Sequence, residues 1–182
     1  PVFHPCWMFT DDDKSFLGDA RHSLAKTLKG YREKGWTVTA ATEMEFYLVN
    51  AQHGSLKPPI NPKTNTQLGR ADVLSTQDLN DFEVILNEIQ EESIEAGINF
   101  ESITSESGCG QFEVTLKHRN ALLAADDALL FKVITKGVAL KHKLTATFMA
   151  KPYLDQPGNG MHMHFSILDN KGQNIFSNDG DA

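Results

Sequence analysis

The sequence has little that would mark it for an oxidising compartment, a membrane or a nucleic acid. It holds two cysteines, Cys6 and Cys109, far apart and outside any CxxC or zinc-ligand spacing. That excludes a disulfide scaffold and a cysteine zinc site, and favours two free thiols in a reducing compartment over one long-range bridge. No apolar run approaches the roughly 20 residues that span a bilayer. The start, Pro1-Val2-Phe3-His4-Pro5, has no basic stretch leading into a long apolar core, so no secretory signal is expected. Positive charge is in deficit, with 17 Lys and Arg against 24 Asp and Glu and a formal net charge of -7, which argues against a phosphate backbone as partner. No GxxxxGK[ST] occurs, so a P-loop mechanism is excluded. What remains, 182 residues at 40% hydrophobic and 23% charged, is an ordinary globular composition. The expectation is a cytoplasmic chain with no membrane and no nucleic-acid partner.

Residues 1–18 read as an irregular lead-in with a solvated acidic cluster at Asp11-Asp12-Asp13. Ala20, Leu24, Leu28 and Tyr31 recur at helical spacing, predicting a helix over 19–34 that Gly35 stops. Residues 36–49, rich in Thr, Val and aromatics, read as a strand. Residues 50–74, with Gly54, Pro58-Pro59, Pro62 and Gly69, read as a long loop. Ser75 caps a second helix with Asp78 as its capping-box partner. Leu79, Phe82, Ile85, Leu86 and Ile89 form its buried stripe, and Gly97 ends it.

Strands follow over 98–104 and 111–116, then an alanine-rich helix over 120–143. Further strands are expected over 144–149 and 161–168. Asn170-Lys171-Gly172 signals a hairpin returning through Gln173–Phe176. The order predicts an α+β fold rather than a doubly wound parallel sheet.

Three stretches carry carboxylates or imidazoles where a strand would be apolar. In Thr42-Glu43-Met44-Glu45-Phe46, side chains two apart share a face, so Glu43 and Glu45 point one way and Met44 and Phe46 the other. A like-charged pair on a sheet wants a cation or protons, although a lone E-x-E also suits a solvated outer face. Glu106-Ser107-Gly108-Cys109-Gly110-Gln111-Phe112-Glu113 places glycines where a turn would bring Glu106 near Glu113; two exposed acids on a hairpin is the other reading. In Gly158-Asn159-Gly160-Met161-His162-Met163-His164-Phe165-Ser166, His162 and His164 share one strand face while Met161, Met163 and Phe165 read as core. Together, hard oxygen ligands with imidazole suit Mg²⁺ or Mn²⁺ better than structural zinc.

These stretches, with Ala146-Thr147-Phe148-Met149-Ala150-Lys151-Pro152 ahead of the last, resemble the successive signatures of the glutamine synthetase family, in the family's order and from about residue 19 onward. With Phe46-Tyr47, Pro59-Ile60-Asn61-Pro62 and Gln111-Phe112-Glu113, the sequence looks closest to γ-glutamylpolyamine synthetase-like members. The resemblance implies a curved, mainly antiparallel sheet carrying the active site, with helices on its outer face. It also implies an ATP-dependent carbon–nitrogen ligase that phosphorylates the γ-carboxylate of glutamate and lets an amine, ammonia or a polyamine or alkylamine, displace phosphate. Two or three Mg²⁺ or Mn²⁺ ions are implied. Glu45, Glu106 and Glu113 would hold one, and Glu43 and His162 part of another. Glu101, His164 and Ser166 match nucleotide-contacting positions, and Gly158 matches a backbone position that binds glutamate.

Members of that family are more than twice this long and form homo-oligomers. Residues 1–182 are therefore expected to be the N-terminal part of a catalytic domain, inactive alone, without the β-grasp-like N-terminal domain or the C-terminal half. Cys109 departs from the proline usual at its position, which would loosen the turn and add an oxidisable thiol. Two other classes stay open: a non-catalytic relative with a structural or regulatory role, and a metal-dependent hydrolase that uses the same carboxylates to activate water.

Overall fold

The computed structural model describes residues 3–52, 55–69 and 72–177. Gly54 and the segments 1–2 and 178–182 lie outside the described residues. The elements in chain order are α1 (Ala20–Arg32), β1 (Thr37–Gln52), β2 (Ser55–Lys57), α2 (Thr76–Asp81), α3 (Glu83–Glu95), β3 (Phe100–Ser105), β4 (Gln111–Leu116), β5 (Arg119–Asn120), α4 (Ala121–Lys141), β6 (Thr145–Thr147) and β7 (Met161–Leu168).

At 16 residues, β1 is long enough to organise a seven-stranded sheet. It pairs antiparallel with β2, β4, β5 and β6 and also pairs with β7, while β3 adds antiparallel to β4. The mainly antiparallel α+β expectation holds. One strand inside the expected loop 50–74 was not legible: β2 folds back on the end of β1, with Asn50 opposite Lys57. The chain divides into two compact units, residues 42–117 with 127–163, and residues 1–41 with 118–126 and 164–182.

In the larger unit, alternation along β1 turns Met44, Phe46 and Leu48 into the core. Phe112 and Val114 of β4, Ile85, Leu86 and Ile89 of α3, and Phe131, Ile134 and Val138 of α4 meet them there. Phe46 is the hub, its ring centroid 5.4 Å from Phe148 and 6.2 Å from both Phe112 and Phe131. Each such side chain contributes roughly 1.5–3 kcal/mol by leaving water.

Ser75 does cap α2, its Oγ accepting from the Asp78 N–H at 3.1 Å. The reciprocal half of the capping box is not made, because the Ser75 N–H donates to the Asp72 carbonyl instead. The single helix expected from Ser75 to Gly97 is broken at Phe82 (φ -101°, ψ 13°). There the chain swings the Phe82 ring to 5.4 Å from Phe112, and the preceding Asp81 takes hydrogen bonds from Asn61 and Gln77. Gly97, at φ +82°, ends α3 as expected.

In the smaller unit, Asp19 caps α1 by accepting from the Arg21 N–H at 2.8 Å, and also accepts from the Met8 N–H at 3.0 Å. Arg21 in turn forks onto Asp126 with two bonds of 2.9 Å and stacks 3.8 Å from the Trp7 ring centroid. The irregular lead-in is thereby tied down, while Asp11-Asp12-Asp13 is solvated as expected. The turn after β7 forms, with the Asp169 carboxylate accepting from the Lys171 and Gln173 N–H groups. The returning strand Gln173–Phe176 does not: it shrinks to one bridge, Leu168 to Asn174, because the chain turns again at Asn174, whose side chain and carbonyl accept from Phe176 and Ser177.

A larger correction concerns β7. Met161, Met163 and Phe165 were expected in the core, but they are 48%, 61% and 61% exposed. The alternation itself is kept; among the described residues nothing covers that face over 161–165, and only Ile167, further along it, is buried.

Candidate metal centre

The β1–β4 register places Glu45 directly opposite Glu113 and Glu43 opposite Thr115. Period-two alternation puts all three carboxylates on the face away from Met44 and Phe46. Like charges directly opposed on a sheet destabilise it unless something neutralises them. β7 arrives beside them, with the Glu45 N–H donating to the Gly160 carbonyl at 3.3 Å. That alignment brings His162 Nδ1 to 2.9 Å from Glu43 Oε2 and 4.0 Å from Glu113 Oε2.

One ligand atom each from Glu43, Glu113 and His162 therefore lies within 4.8 Å of the others. Burial, and then the charges of Glu43, Glu106 and Glu45, push the Glu113 carboxyl above its ordinary pKa. His162 is also raised, first by its bond to Glu43. Glu106 follows β3, where its N–H donates to the Gln111 carbonyl at 2.9 Å. Its charge is among those that raise Glu113, so the two acids on either side of the turn share one neighbourhood, although Glu106 is not among the three residues whose ligand atoms converge.

Glycines leave little room at several points around the site. A Cβ on Gly160 would lie 2.7 Å from Glu45 Oε1 and 3.2 Å from His162 Nε2, so any larger residue would crowd both groups. Gly110 takes φ +76°, and a Cβ there would lie 2.8 Å from the Leu48 carbonyl. A Cβ on Gly158 would meet the Ala150 carbonyl oxygen at 2.5 Å, which holds that main chain close and bare.

Cys109, between two glycines, is not the loosened, oxidisable position expected. Its N–H donates to Gln156 Oε1 at 2.8 Å, a bond proline could not make, and the thiol is buried, with burial pushing its pKa up. Cys109 and Cys6 are both free thiols, as read from their spacing.

Of the other candidate residues, Glu101 is exposed on β3, at the register shift between Phe100 and Ser102. His164 and Ser166 belong to the smaller unit; His164 is exposed, and Ser166 Oγ accepts from Asn174 Nδ2 at 3.4 Å. The residue that sequence reasoning missed is Gln111. Fully buried in β4, it donates from Nε2 to Glu45 Oε2 at 3.1 Å and to the Gly158 carbonyl at 2.9 Å. Only its place inside the Glu106–Glu113 stretch hinted at it.

Carboxylates with one imidazole, and neither cysteine among them, fit a hard divalent cation such as Mg²⁺ or Mn²⁺.

Residues 17–182 match the family described as glutamine synthetase, catalytic domain. The chain belongs to the glutamine synthetase family. Among its relatives, gamma-glutamylputrescine synthetase PuuA of Escherichia coli (strain K12) is 38% identical over 174 residues, covering 93% of this chain and 37% of that protein. The glutamine synthetase of Pyrococcus horikoshii is 38% identical over 165 residues, covering 91% of this chain and 35% of the other. A solved structure titled as a GmaS/ADP complex superposes with TM-score 0.81 at 28% identity, over 93% of this chain and 38% of that one. The chain thus spans little more than a third of the length of these glutamine synthetase-type relatives. Among the described residues, no helix is long and apolar enough to cross a membrane.

Proposed function

We propose that the whole protein is an ATP-dependent ligase that joins the γ-carboxylate of glutamate to an amine through γ-glutamyl phosphate. The observation that carries this is the convergence of Glu43, Glu113 and His162 from three strands, in a chain of this family. In this reading residues 1–182 are the first part of a catalytic domain, inactive alone, and the assembled protein is a cytoplasmic homo-oligomer. Glu45, Glu106 and Glu113 hold one divalent ion, and Glu43 and His162 contribute to another. Bound there, Mg²⁺ or Mn²⁺ supplies neutralising charge for the nucleotide phosphates.

The chain's own residues do the placing. The bare main chain at Gly158 receives glutamate. Glu101, His164 and Ser166 face the nucleotide. The acceptor is ammonia or an alkylamine or polyamine; relatives named for putrescine, isopropylamine and methylamine favour an organic amine.

The test is a calorimetric titration of Mn²⁺ into this chain beside a Glu106→Gln, Glu113→Gln double variant. Saturable binding that the double variant abolishes is expected. Absence of binding in a folded wild-type chain would sink the assignment of these ligands. A panel of amines against the full-length protein, scored by phosphate release that depends on glutamate, then identifies the acceptor.

A further inference from the structure

Gln111 is buried to 2% exposure inside a sheet, where an amide must find a partner for every polar atom or destabilise the fold. It finds them in three separate segments. Its Oε1 accepts from the Gly108 N–H at 3.1 Å, in the glycine turn. Its Nε2 faces Glu45 Oε2 at 3.1 Å, the Gly158 carbonyl at 2.9 Å and Asn159 Oδ1 at 3.0 Å. The amide orientation follows from this set, since the nitrogen meets three acceptors and the oxygen one donor. Two hydrogens are shared among three acceptors, so one amide draws Glu45, Gly158 and Asn159 to a single point.

We propose that Gln111 is a positioning residue that locks the Glu45 carboxylate to the Gly158–Asn159 main chain. This rests on the reading of Glu45 as a metal ligand and Gly158 as the glutamate-binding backbone. A single amide then fixes the distance between the ion and the substrate it serves. Two further bonds hold the same loop without touching a carboxylate: Tyr47 Oη donates to the Pro157 carbonyl at 2.8 Å, and Gln156 Oε1 accepts from the Cys109 N–H at 2.8 Å. They separate holding the loop from aiming the carboxylate.

The test compares wild type, Gln111→Met and Tyr47→Phe in this chain. Mn²⁺ affinity is read by calorimetry, and amide hydrogen exchange at residues 108 and 158–160 is read without metal. Gln111→Asn, which keeps an amide but retracts it by one methylene, serves if Gln111→Met does not fold. Gln111→Met is expected to speed exchange at these amides and to weaken Mn²⁺ binding roughly 10- to 100-fold, the usual cost of losing a group that orients a ligand. Tyr47→Phe is expected to speed exchange in the loop while binding Mn²⁺ within about twofold of wild type, since it touches no carboxylate.

Unchanged exchange in a folded Gln111 variant overturns the lock, whatever the metal does. Faster exchange with unchanged Mn²⁺ affinity overturns the aiming of Glu45. Faster exchange in a chain whose wild type binds no Mn²⁺ sinks the metal reading and leaves the lock standing.

Discussion

Strands β1 and β7 lie in one sheet and carry the same alternation of apolar and ligand-type residues, yet they end in opposite environments. In β1, Met44 and Phe46 are 1% and 0% exposed beneath α3 and α4, and the opposite face holds Glu43 and Glu45 half-buried. In β7 the apolar residues Met161, Met163 and Phe165 and the imidazoles of His162 and His164 are all exposed. Alternation decides which side chains share a face; it does not decide whether anything lies over that face. β1 carries core and carboxylates at once, whereas residues 161–165 of β7 bring His162 to Glu43 while their apolar side chains stay outside the core, which β7 joins only at Ile167.

Substitutions of the same kind on the two strands should therefore differ most on the apolar faces. Phe46→Ala removes the ring that touches Phe112, Phe131 and Phe148, and should cost about 3–5 kcal/mol of unfolding free energy in urea. A loss below about 1 kcal/mol would mean that the core is looser than its packing implies. Gly160→Ala, at the entry to β7, should cost less than about 1 kcal/mol, because its Cβ meets the movable carboxylate end of Glu45 rather than backbone. Its effect should fall on Mn²⁺ affinity, lowered roughly tenfold through Glu45 and His162. Wild-type affinity in Gly160→Ala would break the claim that the ligand face of β7 is shaped by its glycine.

The carboxylate face that β1 shares with β4 should show the reverse sign. Glu113, opposite Glu45, has its folded pKa raised above the ordinary 4.5, chiefly by burial and then by Glu43, Glu106 and Glu45. The folded chain thus binds this proton more readily than the unfolded one. Stability from the protonated form is present below pH 4.5 and is lost as pH rises through the folded value. Without metal, Glu113→Gln should therefore be more stable than wild type by about 0.5 kcal/mol at pH 7, and the advantage should shrink toward pH 4. Urea midpoints at the two pH values measure this; a constant difference would remove Glu113 as its source.

What was legible in the sequence follows the same division. Local chemistry could be read: Ser75 as a cap, Gly97 as a stop, β4 and β7 to the residue, and the face shared by Glu43 and Glu45. Long-range partnership could not. Nothing in the sequence around Phe82 breaks a helix; the break comes from where its ring packs against β4. Gln111 looks like one more polar residue in a strand until Glu45 and Gly158, 66 and 47 residues away, converge on its amide. Residues 161–165 announced an apolar face correctly, and only the absence of a layer of described residues over it made the inference of a core wrong.

The smallest effect is the sharpest test of the contrast. Met163 is 61% exposed, so in the folded chain much of its surface is already in water, and removing it forfeits little transfer free energy. Thr suits a strand at least as well as Met, so Met163→Thr leaves strand preference intact and isolates burial. The change should stay within about 0.5 kcal/mol, as for other surface positions. A loss of about 2 kcal/mol or more, measured in the same urea experiment as Phe46→Ala, would mean that this face is covered in solution. The distinction between the two strands would then disappear, because a methionine that costs that much to replace belongs to a core.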